Sequence, residues 1–404
     1  MHDPLHCSKF MGEGSRAQIP LRITPEYSQA AAYIIDNVRK NSGYQAEKEY
    51  FAAERWLKGK QEGERVWLGV SGAATPVGFG GLFADLIEKG LVDVIVSTGA
   101  NVYHDLHFAC GLPVRHGSEK VDDNELRKDG TTRIHTQYIH SNLTLKAQDM
   151  IDEEIFRRVL KKGNLRQPFS TAMMLYEFGR ELASSEYVVD RHGSFVLKAA
   201  EHGVPIFLDS GSNHSLGMDF SLLHLESLGA DSSPSRDIHQ AAAISLYGQP
   251  QLNVFVGEAG PRNFAQTTAP TAAEIYAIPF EGSDACIRFT TADERTGGLS
   301  GSTGSEAVSW GKYLNADPAR DIVVWGEYTL TFPDVAAYVA GKIGRVSPSR
   351  IMDQLLLLED RFLEDVAAHK VDLAKLQVQL RADIPIVQRH EVELRRQAGY
   401  NFDS

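Results

Sequence analysis

The sequence predicts an α/β fold: a doubly wound, mostly parallel, Rossmann-like sheet with helices on both faces. Three observations predict it. Short apolar runs alternate with stretches of helical periodicity, a strand–glycine turn–helix–strand unit begins near residue 65, and several predicted strands end in glycine-rich turns. Parallel strands need crossover connections, usually helices, and these cover both faces of the sheet. An amino-terminal arm and a carboxyl-terminal helical segment flank it.

The first part of the chain leads into this unit. Residues 1–25 mix proline, glycine and charged side chains, which predicts an irregular arm, and apolar residues at helical spacing over 27–57 predict one or two helices. A buried strand over 66–70 is followed by residues 71–81, rich in glycine and alanine. An amphipathic helix over 82–89 then stops at a glycine, and a second apolar strand covers 91–96. This order is a βαβ unit.

The same alternation continues along the chain. Further strands are predicted at 204–208, 252–256, 286–290 and 322–325, with helices at 171–184, 193–202 and 234–246. Residues 348–397 are charged and contain little glycine, which predicts a helical cap or an oligomer contact. The predicted division is therefore an arm with helices (1–64), one α/β catalytic domain (65–345) and a helical extension packed on it (346–404).

Composition limits the possible partners. With 404 residues, 43% hydrophobic and 23% charged, the chain is typical of a soluble globular protein. Its net charge of −12 and scattered basic residues argue against a nucleic-acid partner. The first ten residues lack the order of a secretory signal, no apolar run approaches a membrane span, and three cysteines are too few for a disulfide framework. We expect a cytoplasmic protein without membrane contact.

The most informative segment is EAVSWGK, residues 306–312, behind the glycine- and serine-rich residues 297–305. An ordinary lysine keeps its proton to a pKa of about 10.4, and an apolar, partly dehydrated surface beside it lowers that value. Trp310 supplies such a surface if the segment is a strand, because side chains two residues apart then share a face. Lys312 is then a candidate nucleophile that forms imines. Alternatively, Trp310 covers the stem of an ordinary surface lysine.

EAVSWGK resembles the active-site segment of deoxyhypusine synthases, whose lysine holds an aminobutyl imine. Similar segments follow in order: VIVSTGANVYHD (94–105), VPIFLDSGSNHSLG (204–217) and VWGEYTLTFP (324–333), so the resemblance covers roughly residues 65 to 340. It implies NAD as cofactor: NAD oxidises spermidine, the butylamine fragment is held on the lysine and passes to an acceptor amine, and the retained NADH reduces the new imine. It also implies catalytic roles for Lys312, Trp310 and Glu306, and a homo-oligomer, a tetramer, with sites at subunit interfaces.

Glycine-rich strand ends at residues 69–74, 97–101 and 257–260 suit a phosphate, although they also suit ordinary tight turns, and the GxGxxG fingerprint is absent. The resemblance implies that seven residues contact NAD. Two of them replace family aspartates but keep hydrogen-bonding ability, and Ala73 replaces an asparagine and loses it. The seven are Ser71, Gly72, Thr98, Gly99, Asn213, Gly257 and Glu327, of which Asn213 and Glu327 are the replacements.

The resemblance fails at the anchors of the polyamine. Thr296 and Leu299 stand where the family has aspartates, His104 replaces a glutamate, and Phe264 replaces a histidine. Because a dehydrated ammonium needs a partner charge, spermidine affinity should fall unless other carboxylates substitute. The candidates for that substitution are Asp293, Glu294 and Asp219.

Other chemistry finds less support. His104 and His107 share a face if their segment is helical, but no second ligand cluster has clear spacing, so we expect no metal. A neutral His104 near the substrate would serve as a general base. A Gly-x-Ser-x-Gly elbow and a phosphate-binding loop are both absent from the sequence, which argues against a hydrolase and an NTPase.

The sequence therefore predicts an NAD-dependent aminoalkyl transferase of the deoxyhypusine synthase type, working through Lys312 on an amine or polyamine. The lost anchors leave both partners open: the donor need not be spermidine, and the acceptor need not be the hypusine-bearing initiation factor. Two alternatives stay open: a homospermidine-synthase-like enzyme that transfers aminobutyl to a small diamine, and a catalytically silent NAD-binding regulator. The lost carboxylates motivate the regulator.

Overall fold

A computed structural model describes residues 8–402, except 13, 164–167, 226–231, 316, 318 and 319. Cys7 and the first residues of the predicted arm thus lie outside the described part. The described strands, in chain order, are β1 (Arg65–Val70), β2 (Val94–Ser97), β3 (Val114–His116), β4 (Thr131–Ile134), β5 (Gln137–His140), β6 (Ile206–Leu208), β7 (Gln251–Val256), β8 (Ala285–Thr290) and β9 (Asp321–Trp325).

The helices surround these strands and connect them. They are α1 (Pro25–Tyr33), α2 (Tyr44–Gln61), α3 (Phe79–Glu88), α4 (Gly99–Ala109), α5 (Asp123–Asp129), α6 (Ala147–Lys162), α7 (Thr171–Ala183), α8 (Phe195–His202), α9 (Ser215–Leu225), α10 (Pro234–Tyr247), α11 (Ala259–Gln266), α12 (Thr268–Pro270), α13 (Gly304–Ser309), α14 (Tyr328–Ile343) and α15 (Leu355–Gln397). Short π-helical turns lie at Ile34–Arg39, Ser141–Lys146 and Thr271–Ile275, and 3₁₀ turns at Leu299–Gly301 and Ile351–Gln354.

Six of these strands form one parallel sheet in the order β6-β2-β1-β7-β8-β9. The chain enters at the centre, moves outward through β2 to β6, then returns to the centre at β7 and moves out through β8 to β9. This is the strand order of dinucleotide-binding sheets. The predicted Rossmann-like α/β fold is confirmed, and the predicted main-sheet strands all form, with ends shifted by a few residues.

The centre of the sheet is the apolar core. All six residues of β7 are buried, and so are five of the six in β1, as expected for strands covered by helices on both faces. Trp67 of β1 stacks on Phe207 of β6, with ring centroids 6.5 Å apart. Glycine at position 69 is required for packing, because an added Cβ would lie 2.4 Å from the ring of Phe255. Register in the central strands is thus fixed by close packing.

The helices at the chain ends complete the two faces. α1 and α2 pack on α14, where Tyr338 donates hydrogen bonds to Asp36 and Glu54 at 3.0 and 2.6 Å. The predicted helical region 27–57 thus forms two helices. Residue 65 begins the first strand, and the division of the chain into three domains stays a prediction.

A second, antiparallel sheet of β3, β5 and β4 was not foreseen from the sequence. Its strands are three or four residues long and only partly buried, so they lack the apolar runs that reveal the main-sheet strands. The 43 residues of α15 make a helix about 65 Å long, and only Leu355, Glu359 and Phe362 of it are buried. None of the helices in the described part of the chain combines the length and the hydrophobicity that crossing a bilayer requires.

Candidate active site

The order of the strands reverses between β1 and β7, and ligands of open parallel sheets bind beyond the carboxyl ends of strands at such a point. Residues 71 and 72 follow β1, and residues 257 and 258 follow β7, so both glycine-rich turns meet at this edge. Backbone φ is +69° at Gly72 and +76° at Gly257, a conformation that glycine adopts without strain. The fold therefore places these turns at its natural ligand crevice.

The turn after β7 is strained. Glu258 and Ala259 continue the left-handed backbone of Gly257, with φ of +62° and +50°. Each such non-glycine residue costs roughly 1–3 kcal/mol unless its surroundings hold it. The N–H of Ala259 donates to Oγ of Ser300 at 3.0 Å, which ties the turn to the 3₁₀ turn at Leu299–Gly301. Strain of this kind is typical of functional sites.

A buried charge cluster of Glu258, Arg262 and Arg288 holds this region. The Glu258 carboxylate accepts hydrogen bonds from Arg288 and lies 3.5 Å from Nη1 of Arg262. The two guanidinium groups also donate to the carbonyls of Ser300, at 3.1 Å from Arg288, and Ser302, at 2.9 Å from Arg262. The Asp321 carboxylate also interacts with both guanidinium groups, so the two arginines face two carboxylates under the 3₁₀ turn.

Lys312 follows a short helix, not a strand. Thr303 caps α13 by accepting from the N–H of Glu306 at 3.1 Å, the helix ends at Trp310, and Gly311 turns the chain with φ of +64°. The strand geometry expected for Trp310 and Lys312 is therefore wrong. The left-handed glycine nevertheless brings the two side chains together, since Nζ lies 5.8 Å from the tryptophan ring centroid.

The Lys312 amine is half-buried and donates to Oδ1 of Asn263 at 3.1 Å. Burial is the largest cause that lowers its pKa below the usual 10.5, and the nearby Arg262 lowers the pKa further, whereas Glu306 opposes the shift. Trp310 is 59% exposed, so it shields one side of the amine and leaves the other open. The amine is therefore both easier to deprotonate than a surface lysine and accessible.

This amine faces a cavity of about 560 Å³, which we call the lysine cavity. Its volume lies within the range of small-molecule sites. Three carboxylates, from Glu274, Glu294 and Glu306, line it together with small, apolar and hydroxyl side chains. The other lining residues are Asn263, Thr267, Pro270, Thr296, Gly297, Gly298, Leu299, Gly301, Ser302, Ala307, Trp310 and Lys312.

Two smaller cavities adjoin the turn at Leu299–Gly301. The glycine cavity, about 260 Å³, is lined by Gly72, Gly257, Thr290, Thr291, Ala292, Ser300, Gly326, Glu327 and Tyr328. The middle cavity, about 410 Å³, shares Asn263, Thr267 and Leu299 with the lysine cavity. Ser300 lies on the glycine cavity and its two neighbours on the lysine cavity, so the turn separates the two spaces.

The structure brings three of the predicted cofactor residues together, since Gly72, Gly257 and Glu327 all line the glycine cavity. Ser71 is buried next to Gly257. A Cβ added at Gly257 would lie 2.9 Å from the Ser71 Oγ. The donors and acceptors of this cavity fit a sugar–phosphate group: threonine and serine hydroxyls, glycine backbone and the Glu327 carboxylate.

The other three predicted cofactor residues lie across the crevice, at the ends of β2 and β6. Thr98 caps α4 by accepting from the N–H of Asn101 at 3.4 Å. Gly99 packs so closely on the His214 ring that an added Cβ would lie 2.1 Å from it. Asn213, exposed, precedes that histidine. The seven predicted residues thus lie on both sides of the switch point.

His104 does not line the lysine cavity. It lies on the helix α4, so His104 and His107 share a face, as predicted for a helical segment. The Nδ1 of His104 is 3.1 Å from the Nε2 of His107. Burial lowers the pKa of His104 to about 4, so the ring is neutral at neutral pH. Within this chain the neutral ring contacts His107 and not Lys312, and its role as a general base stays a prediction.

Three of the four residues at the family's anchor positions line the cavities of the predicted site, and His104 does not. Thr296 and Leu299 line the lysine cavity, and Phe264 lines the middle cavity, 5.7 Å from the Phe207 ring. Of the substitute carboxylates, Glu294 lines the lysine cavity, whereas Asp293 pairs with Arg295 at 2.6 Å. Asp219 is buried, and burial, with Asp149 nearby, raises its pKa to about 7.

Sequence reasoning missed Asn263, Glu274 and the cluster of Glu258, Arg262 and Arg288. One signal was available: Arg288 interrupts the apolar run of β8, and a charge inside a buried strand requires a partner. Asn263 and Glu274 had no such signal, because both lie on the segment after β7, far along the chain from Lys312. Only the folded chain brings them to the amine.

Comparisons with known proteins point to one family. The family model described as deoxyhypusine synthase matches residues 33–339. A deoxyhypusine synthase-like protein of Nostoc punctiforme is 35% identical over 315 residues, covering 76% of this chain and 80% of its own. A protein of Archaeoglobus fulgidus named probable deoxyhypusine synthase 2 is 32% identical over 301 residues, covering 74% of this chain and 95% of its own length.

A solved structure shares the fold. The crystal structure of a candidate deoxyhypusine synthase from Entamoeba histolytica superposes with a TM-score of 0.50 at 14% identity, covering 77% of this chain and 93% of its own. At that identity the likeness concerns the arrangement of the sheet and helices alone.

Proposed function

The chain belongs to the deoxyhypusine synthase family, a family of aminobutyl transferases, and we propose that it transfers an aminoalkyl group through an imine on Lys312. The resemblance first noted in EAVSWGK is confirmed, and the chain is a transferase enzyme. Family membership does not by itself fix the donor, the acceptor or the cofactor of this chain. Those parts of the proposal depend on the site.

One observation carries the proposal: Lys312 is half-buried, its pKa is lowered, and it opens onto a cavity lined by three carboxylates. A neutral amine is the form that attacks an imine carbon. Carboxylates around the cavity favour a cationic donor with more than one amino group. They stand in different positions from the lost family aspartates, which supports a polyamine-type donor whose spacing of charges differs from that of spermidine.

The chain's own residues account for the transfer as follows. Lys312 Nζ attacks the imine carbon of the oxidised donor, the donor's departing amine takes a proton, and the carbon fragment remains as an imine on Nζ. An acceptor amine then attacks the same carbon and Lys312 leaves as the free amine. Asn263 accepts a hydrogen bond from Nζ and fixes the direction of attack.

Trp310 and Glu306 assist in different ways. Trp310, with its ring centroid 5.8 Å from Nζ, covers the alkyl chain and keeps water from the imine carbon. Glu306 faces the same cavity, where it pairs with a substrate ammonium. Glu274 and Glu294 serve the same purpose farther along the cavity.

NAD is the proposed cofactor, and when bound it supplies the hydride acceptor and donor for the two redox steps. Gly72, Gly257 and Glu327 would hold it on one side of the switch point. Ser71, Thr98, Gly99 and Asn213 complete the proposed set. The Glu327 carboxylate already accepts from the N–H of Thr329 at 3.0 Å, which orients it for a sugar hydroxyl.

Trapping on the lysine tests this function. Purified protein with NAD and candidate polyamines, treated with borohydride, should gain the mass of one reduced fragment on Lys312, found by peptide mass spectrometry. Lys312→Arg should abolish the gain while keeping the positive charge and NAD binding. If no polyamine gives a Lys312 adduct although NAD binds, the chain is an NAD-binding protein without this transfer. The mass of the released product, with a diamine or a protein as acceptor, then identifies the acceptor class.

A further inference from the structure

The distal half of α15 has an apolar stripe that its own chain does not cover. The helix is anchored on α10, where Arg236 pairs with Glu359 at 2.8 Å and Tyr247 donates to Asp365 at 2.5 Å. Beyond residue 366 the helix makes no buried contact among the described residues. Leu376, Leu380, Ile384 and Val387 are 46–63% exposed there.

The spacing within this stripe is symmetric. Leu373, Leu376, Leu380, Ile384 and Val387 follow at intervals of three, four, four and three residues, so they form one narrow seam of the coiled-coil kind. The order of intervals is the same in both directions from Leu380. A seam that is identical forwards and backwards matches a second copy of itself running in the opposite direction.

We propose that the distal part of α15 pairs with the same segment of a second copy of this chain, antiparallel, about a two-fold axis at Leu380. In this arrangement Leu373 meets Val387 of the second copy, and Leu376 meets Ile384. The seam over 373–387 is about 21 Å long. A two-fold contact of this kind is self-complementary.

Charges on both sides of the seam match this orientation. Glu391 continues the line of the stripe eleven residues after Leu380, and Lys370 lies beside the stripe ten residues before it, so each comes level with the other of the second copy. Asp372, eight residues before Leu380, and His390, ten residues after it, flank the stripe on one side, so each comes close to the other of the second copy. Within the helix Asp372 also pairs with Lys375 at 3.2 Å and Glu391 with Arg395 at 2.7 Å.

The parallel alternative fits less well. It would set each Asp383 beside its own copy next to the seam, where two carboxylates repel. The antiparallel arrangement separates the two Asp383 residues by six residue positions, about 9 Å along the helix axis, which removes that repulsion. Pro385 points away from the seam in either case, so the loss of its N–H does not weaken the contact.

The first test is the mass of the full-length protein in solution, measured by light scattering after size-exclusion chromatography. Leu380→Asp brings two carboxylates together at the axis, and we expect the mass of the assembly to fall twofold. Val378→Asp is the matched control, since Val378 is 70% exposed on the opposite face of the helix. Circular dichroism checks that both variants stay folded. Equal masses for wild type and Leu380→Asp would overturn the proposal.

Cysteine cross-linking tests the orientation, in a Cys7→Ser background. Leu380→Cys should form a disulfide-linked dimer on mild oxidation. Leu373→Cys alone should not, whereas a mixture of Leu373→Cys and Val387→Cys should. Disulfide-linked dimers formed by Leu373→Cys alone would show a parallel contact and overturn the proposal.

Charge reversal tests the pairing of Lys370 with Glu391. Lys370→Glu and Glu391→Lys should each weaken the dimer several-fold, and the double variant should restore it. Failure of the double variant to restore the dimer also counts against the pairing.

Discussion

At the scale of the residue, the proposed transfer depends on how Lys312 loses a proton. Burial and Arg262 lower its pKa, and Glu306 raises it. This balance leaves the pKa of Lys312 below its ordinary value although the Glu306 carboxylate stands nearby. A carboxylate in this cavity has two effects on the proposed reaction. It attracts a cationic donor, which favours the reaction, and it helps Lys312 to keep its proton, which slows it.

This balance predicts a pH dependence for adduct formation on Lys312. Because only the neutral amine reacts, the rate should rise with pH and reach half its maximum below pH 10.5, the ordinary value for lysine. Glu306→Gln removes the group that raises the pKa, so the midpoint should move to lower pH. Glu119→Gln, an exposed carboxylate remote from the cavity, should leave the midpoint unchanged. A midpoint that moves upward in Glu306→Gln would contradict the assignment.

At the scale of the element, the site is held by the strained turn after β7 and the 3₁₀ turn at Leu299–Gly301. The two turns are connected by the cluster of Glu258, Arg262 and Arg288. Each of these residues is at most 2% exposed. A buried charge is tolerated only when it is paired, so the cluster locks both turns in place. The same cluster lies next to Lys312 and lowers its pKa through Arg262.

Removing one member of this cluster should therefore be costly. Arg288→Met leaves the Glu258 carboxylate with Arg262 alone, and we expect the free energy of unfolding to fall by roughly 3–5 kcal/mol. Urea denaturation measures it. The double variant Glu258→Gln with Arg288→Met should lose less than the sum of the two single losses, because it leaves no unpaired carboxylate. Strict additivity would show that the pair is not coupled.

At the scale of the whole molecule, two ligand spaces meet at the switch point of one sheet, separated by a single turn. The glycine cavity offers groups for a nucleotide and the lysine cavity offers groups for an amine. This division allows a cofactor and a polyamine to bind side by side. The strand order alone creates it, because it brings the ends of β1, β7, β8 and β9 to one edge.

The division predicts that variants in the two cavities separate two binding constants. Glu327→Gln keeps an acceptor for the N–H of Thr329 but loses the charge, so the Kd for NAD should rise about fivefold, a loss of about 1 kcal/mol. Glu294→Gln should leave the Kd for NAD unchanged and raise the KM for the amine donor. Calorimetry and steady-state kinetics measure the two. Equal effects of both variants on NAD would refute separate cavities.

The sequence by itself determined the fold class, the glycine-rich strand ends and the lysine, because apolar periodicity, turn residues and a short reactive motif are local properties. It misjudged the backbone at Trp310–Lys312, where a helix end and a left-handed glycine replace the expected strand. Only the tertiary structure decided that Asn263, Glu274 and Glu294 join Lys312 and that Glu258 pairs with Arg288. Those contacts join residues far apart in the chain, and their distances depend on the order of strands in the sheet, which local spacing does not encode.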